Sequence, residues 1–564
     1  MKKWILNDHS GSPQFEGIHP NIAHLLYNRG MRSEEDIREF LSDEPLRTYD
    51  PFLLKGMHEA VEKIKYHIAR GSKICIYGDY DVDGVTAICL VFEFLKNLTN
   101  DLAWYIPVRH EEGYGINKTA IEKIKNDGAG LLLSVDCGIS AYEEVEYAKQ
   151  LGLDVIITDH HTAGDKIADC IVINPKQPGC EYPYKELCGC GVAYKLIQAL
   201  QRTCGLGKKT LKKGLDLVAI ATVADIVPLL DENRTFVKYG LKAVNHSKRP
   251  GLDCLIKAIG LDSKTICASD IAFIIGPHIN AGGRVDTAKE SLLLLMETEE
   301  ERCEQLAQKL IENNNLRKNL QIKGFELAKS HLQEKKPGNL ILVSGEDIHE
   351  GVAGIVAGKL KEEFSRPVLI VTENKETGIL KGTGRSVDTI NLYDLLKSQE
   401  DKLVNFGGHR AACGFAIEKE NLEAFRAGTE EEIARMKESE PGLLDEVLFI
   451  DDILKLEEAD NDFGWMIEKL EPFGQKNQRP IFMVEKVYIH DLKYVGKEKE
   501  HCRFFMKDIM GNSLECIMFN GESLFRGLSI EGKLFDFAGR VNMNYRGGTY
   551  NIQFIPIDFR RSLK

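Results

Sequence analysis

Short apolar runs recur along the first half of the chain, and several end in an acidic residue or a histidine. Ile74-Cys75-Ile76 leads into Tyr77-Gly78-Asp79-Tyr80-Asp81-Val82-Asp83-Gly84, and Leu131-Leu132-Leu133-Ser134-Val135 ends in Asp136. Val155-Ile156-Ile157-Thr158 ends in Asp159-His160-His161. Runs of this length between helical stretches predict buried parallel strands with helices on both faces of the sheet. In such a sheet the carboxyl ends of the strands share one edge, where ligands bind, so three strand ends converge on one site. A fourth carboxylate, Asp225, closes the apolar segment Leu217 to Ala224, which reads as a buried helix or strand able to deliver it to the same edge.

The pattern divides the chain further. Residues 1–50 predict a helical lead-in, with Ser33-Glu34-Glu35-Asp36 as a capping box and Asp50-Pro51 as its end. Residues 51–298 carry the first α/β unit, including a helix from Met57 to Ala69. Residues 299–335 are rich in Glu, Gln, Lys and Asn, with Cys303, Leu306, Ala307, Leu310 and Ile311 at helical spacing, and predict one long connecting helix. A second α/β unit spans 336–440. From 441 to 564, short strand-like runs such as Val484 to Ile489 and Leu534 to Val541 predict a small β barrel.

Charge gives the strand edge its chemistry. Asp79, Asp81 and Asp83 stand at alternate positions where little water can screen them, which favours a divalent cation as their partner. Taken alone, the stretch reads equally as a solvated acidic turn closed by Gly84. The other strand ends decide between the two, because Asp81, Asp83, Asp136, His160, His161 and Asp225 together could hold two metals.

Composition bounds the rest. The 564 residues allow several domains, and 43% hydrophobic with 28% charged residues is ordinary for a globular protein. The 14 cysteines form no C-x-x-C pair and sit largely in apolar runs, so they read as reduced core residues; Cys188-Gly189-Cys190 has no second pair at zinc spacing. No signal peptide or membrane-length apolar run is visible, which predicts a cytoplasmic protein without a membrane partner. A net charge of −13 argues against a nucleic-acid partner only weakly, since a carboxylate site contributes to it.

Several stretches suit a phosphate chain. The loop from Ile106 to Gly115 carries Arg109 and Tyr114, a cation for phosphate and an aromatic for a base, and reads equally as a plain loop. Gly276 to Arg284, which includes Asn280, reads as a flexible turn ending in a cation. Gly382-Thr383-Gly384-Arg385-Ser386 and Phe406-Gly407-Gly408-His409-Arg410 read as glycine-rich turns followed by cations, and phosphate binding is the better reading of the two together. In the barrel, Lys493, Tyr494, Lys497, Lys499, Arg503, Phe504, Arg540, Tyr545 and Arg546 interleave cations and aromatics, as a single strand on a barrel face needs.

With its upstream Asp triad, Asp159-His160-His161 resembles the DHH phosphoesterase family, and the whole chain resembles its RecJ branch. Tyr77 to Gly84, Val135 to Gly138, Thr158 to His161 and Thr222 to Asp225 match that branch without gaps, while Gly384-Arg385-Ser386 and Gly407-Gly408-His409 match a DHHA1 substrate-binding domain. The resemblance implies two α/β lobes (DHH and DHHA1) joined by a long helix, with a C-terminal OB-like β barrel. It implies two divalent ions, Mn²⁺ or Mg²⁺, held by Asp81, Asp83, Asp136, His160 and Asp225, with Asp79 assisting and His161 on metal or phosphate. Arg109, Tyr114, Asn280, Arg284, Arg385, Ser386, Gly408 and His409 would bind substrate. The implied activity is 5′ to 3′ degradation of single-stranded DNA to mononucleotides in recombination and repair, by a monomer whose partners include a single-strand-binding protein and a RecQ-type helicase. The chain departs from the family pattern at His278, Gly282, Cys413, Lys476 and Gln478, none of them an implied ligand. The rivals are an enzyme for short oligoribonucleotides or cyclic dinucleotides, a silent DNA-binding scaffold, and an inorganic pyrophosphatase.

Overall fold

The computed structural model describes residues 2–562 apart from 10, 12–14, 110, 111, 114, 165, 247, 248, 335–337, 346 and 374–378. The chain packs as two compact units. One comprises Trp4–Asn280, Ala288–Gln308 and Phe449–Lys564; the other comprises Met1–Lys3, Ala281–Thr287 and Lys309–Leu448.

The first unit is built on a parallel sheet of β1 (Lys73–Gly78), β2 (Leu102–Tyr105), β3 (Ala129–Val135), β4 (Asp154–Thr158) and β5 (Ile171–Ile173), in the order β2-β1-β3-β4-β5. Strands β1, β3 and β4 are buried almost throughout, which is why they read as continuous apolar runs. Gly78 pairs with Val135 and Val135 with Thr158. Asp79, Asp136 and Asp159 therefore leave three neighbouring strands in register. Helix α1 (Val82–Leu95) follows β1, and α2 (Gly189–Thr203), α3 (Leu215–Ala224) and α4 (Asp231–His246) follow the sheet in sequence. The ambiguous apolar segment is α3, a helix buried on every side, with Asp225 as its C-cap.

The barrel belongs to this same unit. Strands Phe482–Val495, His501–Lys507, Ser513–Met518, Thr549–Arg561 and Phe535–Arg546 pair in that order, and the last closes onto the first. Their period-2 pattern points Phe482, Phe504, Phe535, Phe537 and Phe554 inward. The lead-in packs on this core: Ile22, Leu25 and Leu26 of helix Pro20–Asn28 and Ile37 and Phe40 of helix Glu34–Leu41 join the barrel cluster. The expected capping box is present, with Asp36 N donating to Ser33 Oγ at 3.1 Å. Phe504 is fully buried and Arg503 is paired with Glu515, so neither offers a free face to a strand of DNA.

A single helix, α5 (Glu300–Glu334), runs the length expected for the connector. The second unit carries a mixed sheet in the order Leu403–His409, Ala412–Glu418, Ile379–Arg385, Val368–Glu373 and Ile341–Ser344, its last pair parallel and the others antiparallel. Helix Glu350–Phe364 precedes Val368–Glu373.

Two glycine-rich stretches thus lie in strands, where turns were expected. At Gly382 a Cβ would lie 2.0 Å from the Phe415 ring, so the missing side chain makes room for a core aromatic. Gly276 to Arg284 is likewise not a flexible turn: Gly276–Ile279 and Gly282–Val285 are helical, and Gly276–Ile279 continues directly from a π-helical turn, Ile271–Ile275, the wider turn in which Pro277 is accommodated. Among the described residues no helix is long and apolar enough to cross a membrane.

Candidate metal centre

Asp81 is the N-cap of α1, and its Oδ1 accepts from Gly84 N at 3.1 Å. The turn is tight, because a Cβ on Gly84 would lie 2.4 Å from Asp79 O. Asn280 Oδ1 accepts from Val82 N at 2.9 Å, so this residue caps the same first turn. Asp83, on the first turn of α1, is 1% exposed, and its two oxygens accept from Gly189 N (2.6 Å) and Cys190 N (2.7 Å) at the start of α2. The two helix starts thus close around one carboxylate.

Asp136 adopts the left-handed conformation (φ 61°), with its N–H donating to Thr158 O at 2.9 Å. His160 Nε2 stands at the centre, 3.2 Å from Asp136 Oδ1, 3.7 Å from Asp225 Oδ2 and 3.8 Å from Asp83 Oδ2. Three overlapping groups offer donor atoms within 4.8 Å of one another: Asp79, Asp81 and Asp136; Asp136, His160 and His161; and Asp83, His160 and Asp225. The seven residues named from the sequence as metal ligands are all in these groups.

Electrostatics tests whether cations fit. Burial, reinforced by Asp81, pushes Asp79 up to about 8, and burial with Asp83 and Asp81 pushes Asp225 up to about 9. Asp136 is raised well above the carboxylate range by burial and by Asp83 and Asp81, and burial pulls His160 down to about 4. Asp79 Oδ1, Asp136 Oδ1 and both His160 ring nitrogens are out of water and without a hydrogen bond. Buried acceptors left bare beside crowded acids are costly for a metal-free protein and suit divalent cations bound by oxygen and imidazole nitrogen.

Asp159 does something else, which the sequence reading missed. Its carboxylate accepts from Ile139 N (2.9 Å), His160 N (2.7 Å) and His161 N (3.0 Å), and pairs with His161 Nδ1 at 2.7 Å. Burial alone would raise it, but these bonds hold it below the usual carboxylate range. His161 is pulled down by burial and raised further by the Asp159 bond, ending above its ordinary value. Its place before two histidines at a strand end was the available signal.

The residues named for substrate are distributed. Arg109 is half-buried, its guanidinium 5.3 Å from the centre of the Tyr80 ring. Tyr114 lies outside the described residues. In the second unit, Arg284 Nη1 lies 3.4 Å from Gly351 O. Arg385 and His409 flank Ala412 in register, which puts them on one row of the sheet, and Gly408 (φ 135°) pairs with Cys413 beside them. A Cβ on Gly354 would lie 2.9 Å from Arg385 Nη2, so that glycine leaves the guanidinium its space. Ser386 is buried, and its hydroxyl makes no hydrogen bond.

Residues 73–222 match the DHH family N-terminal domain, 338–435 the DHHA1 domain and 450–558 the RecJ OB domain. The single-stranded-DNA-specific exonuclease RecJ of Bacillus subtilis is 37% identical over 93% of this chain, which spans 66% of that relative's length. The Salmonella typhimurium RecJ is 33% identical, over 82% of this chain and 83% of its own. A crystal structure of RecJ in complex with Mn²⁺ from Thermus thermophilus matches with a TM-score of 0.82 at 28% identity, covering 100% of this chain and 80% of that one; its Mg²⁺ complex matches at 0.76, at 26% identity over 100% of this chain and 79% of that one. Three matched domains, and relatives above 30% identity matched over most of their length, place the strand-edge centre in a known setting: the chain belongs to the RecJ family of DHH phosphoesterases.

Proposed function

We propose that the protein is a single-stranded-DNA-specific exonuclease of recombination and repair that works 5′ to 3′ and releases 5′-mononucleotides. The observation that carries the reading is the convergence of seven carboxylate and imidazole side chains at one strand edge, in overlapping groups that share Asp136 and His160, with buried donor atoms left bare. Asp81, Asp83, Asp136, His160 and Asp225 would hold two ions, Mn²⁺ or Mg²⁺ as in the Thermus structures, with Asp79 and His161 beside them. Bound there, the ions would supply Lewis acidity to the phosphodiester and would acidify a water so that it can give up its proton and act as the nucleophile.

The side chains define the rest. His160 stays neutral at physiological pH because burial keeps it near 4, so its ring nitrogen is a lone-pair donor. Asp159 fixes a proton on His161 Nδ1, which aims Nε2 into the site, and the raised basicity lets Nε2 carry a proton to a phosphate oxygen. Asp83 is oriented from both oxygens by the α2 backbone.

A groove of 870 Å³ begins at Ala224 and Ile226, beside Asp225, and reaches Arg479, Arg540 and Ile555 of the barrel region. It would carry the strand's backbone between the metals and the barrel. Outside the groove, Trp465 of helix Asn461–Glu468 and Tyr545 and Tyr550 of the barrel form an exposed aromatic cluster, with ring centroids 5.0 and 4.8 Å apart, suited to stacked bases. Arg109, Tyr114, Asn280, Arg284, Arg385, Ser386, Gly408 and His409 would grip the substrate. We place the action in the cytoplasm, by a monomer, with a single-strand-binding protein and a RecQ-type helicase as partners. The functional domains would run 1–50, 51–298 (DHH), 299–335 (connecting helix), 336–440 (DHHA1) and 441–564 (OB-like).

The test is a time course with Mn²⁺ on 5′-labelled and 3′-labelled single-stranded DNA, beside duplex DNA, RNA dinucleotides and cyclic di-AMP. Immediate mononucleotide release from the 5′ label, gradual shortening of the 3′-labelled strand and an intact duplex are expected. Cleavage of dinucleotides alone, or binding without cleavage, would sink the proposal.

A further inference from the structure

Away from the strand edge, the described residues contain another cluster with metal-ligating chemistry, formed by His9, His24 and Asp452. His9 follows the strand Lys3–Leu6, His24 lies in helix Pro20–Asn28, and Asp452 lies in the two-residue strand that pairs with the start of the barrel at Phe482. His9 Nε2 is 3.3 Å from Asp452 Oδ1, and His24 Nδ1 is 2.9 Å from Oδ2. Each oxygen of one carboxylate therefore faces a different imidazole. The rings stack, with centroids 4.6 Å apart and planes 13° from parallel. The side chains are 19%, 28% and 10% exposed, partly screened from bulk solvent and open enough for an ion to enter.

Protons satisfy this arrangement only in part. Two stacked imidazolium rings would repel each other at that spacing. A neutral His24 can donate its Nδ1–H to Asp452 Oδ2 at 2.9 Å. Both ring nitrogens of His9 are out of water and make no hydrogen bond, although Nε2 stands near Asp452. A cation between the three would take one lone pair from each ring and one carboxylate oxygen, removing the repulsion between charged rings and giving His9 a partner it lacks. The carboxylate is already oriented for it, since Asp452 Oδ1 accepts from Ile453 N at 2.8 Å. Two imidazoles and one carboxylate are a zinc-type donor set with a fourth position left to water, and a poor set for Mg²⁺, which prefers oxygen.

We propose that His9, His24 and Asp452 form a second, structural metal site for a zinc-class divalent cation, which clips the N-terminal segment to the base of the barrel. His24 and Asp452 are 428 residues apart in sequence, so the ion would close a very long loop. Its binding energy would appear as folding energy of this junction.

The test uses the full chain, stripped with chelator and dialysed against zinc in an excess of Mg²⁺. Zinc content and zinc-dependent melting temperature are measured for the wild type, His9→Gln and His24→Gln. The wild type is expected to hold one more tightly bound zinc than either variant. Each variant should bind that zinc more weakly by over about 100-fold, more than losing an outer-shell partner costs. Each should also lose the zinc-induced rise in melting temperature while hydrolysing single-stranded DNA with Mn²⁺ at the wild-type rate. His24→Cys, which replaces imidazole with a thiolate, should keep the zinc, and with Co²⁺ should show thiolate-to-metal charge-transfer absorption. Equal zinc content and an equal thermal increment in the wild type and both glutamine variants would overturn the proposal, as would a His24→Cys variant that folds cooperatively but holds no extra zinc.

Discussion

Asp136 and Asp159 each stand one residue beyond the paired ends of adjacent strands, yet the fold uses them in opposite ways. Asp159 is saturated by four donors and stays ionised, whereas Asp136 keeps Oδ1 bare and is driven toward protonation. Residue type and position after an apolar run made Asp136 legible as a functional acid and placed Asp159 at the same edge without giving it a role. The difference lies in backbone donors, which no sequence pattern displays. Crowding has a measurable consequence in the metal-free protein. Asp79 at about 8 and Asp225 at about 9 keep protons in the folded state that the unfolded chain releases near pH 4. Their contribution to stability is complete below about pH 4 and is lost as pH rises through 8 to 9. The melting temperature in chelator should therefore fall by roughly 5 °C or more between about pH 5 and about pH 9, and Mn²⁺ should remove most of that fall. Differential scanning calorimetry decides it, and a flat profile in chelator would contradict the charge crowding.

At the scale of elements, the helix starts are as much a part of the site as the strand ends. A Cβ on Gly189 would lie 2.3 Å from Asp136 Oδ1, while one on Gly191, two residues on, meets ordinary contacts at 3.5 Å. Gly189→Ala should weaken Mn²⁺ binding by about tenfold or more and cost about 1–3 kcal/mol of stability. Gly191→Ala should leave both nearly unchanged, and calorimetric titration of the two variants makes the comparison. The strands β1, β3 and β4 could be read from apolar runs because both their faces are buried. Gly382 to Ser386 could not, because Gly382 answers to Phe415, a residue some 30 positions away that only the paired sheet brings near, and Gly384 to Leu369 and Leu392. Phe504 misled for a related reason: beside Arg503 it looked like part of a stacking surface, but alternation along the strand sends it inward.

In the molecule as a whole, the compact unit that holds the metal centre includes both the lead-in and the barrel, and Arg234 shows how they are tied. This buried side chain of α4 donates from Nε to Phe40 O (3.0 Å), from Nη1 to Leu470 O (3.0 Å) and from Nη2 to Glu471 O (2.8 Å), and lies 3.8 Å over the Phe40 ring. Arg234→Ala should cost roughly 3 kcal/mol or more, since three carbonyls, two of them in buried bonds, lose a charged donor. It should also split the thermal transition of this unit into separate sheet and barrel steps; a single, barely shifted transition would show that Arg234 is not the tie. The organisation into an α/β sheet, a long helix and a barrel was legible from periodicity. The joining of the two chain ends was not, because carbonyl acceptors carry no side-chain signature.

The same tie sets an order of events on the ribosome. Leu470 lies 236 residues after Arg234, a delay of about 10 to 50 seconds at ordinary elongation rates. Through that interval α4 has its guanidinium in place and the lead-in has its apolar face formed, while the barrel that covers both is still unwritten. The nascent chain must carry an exposed, sticky surface until the barrel segment has emerged, which makes this face the natural place for a chaperone to hold.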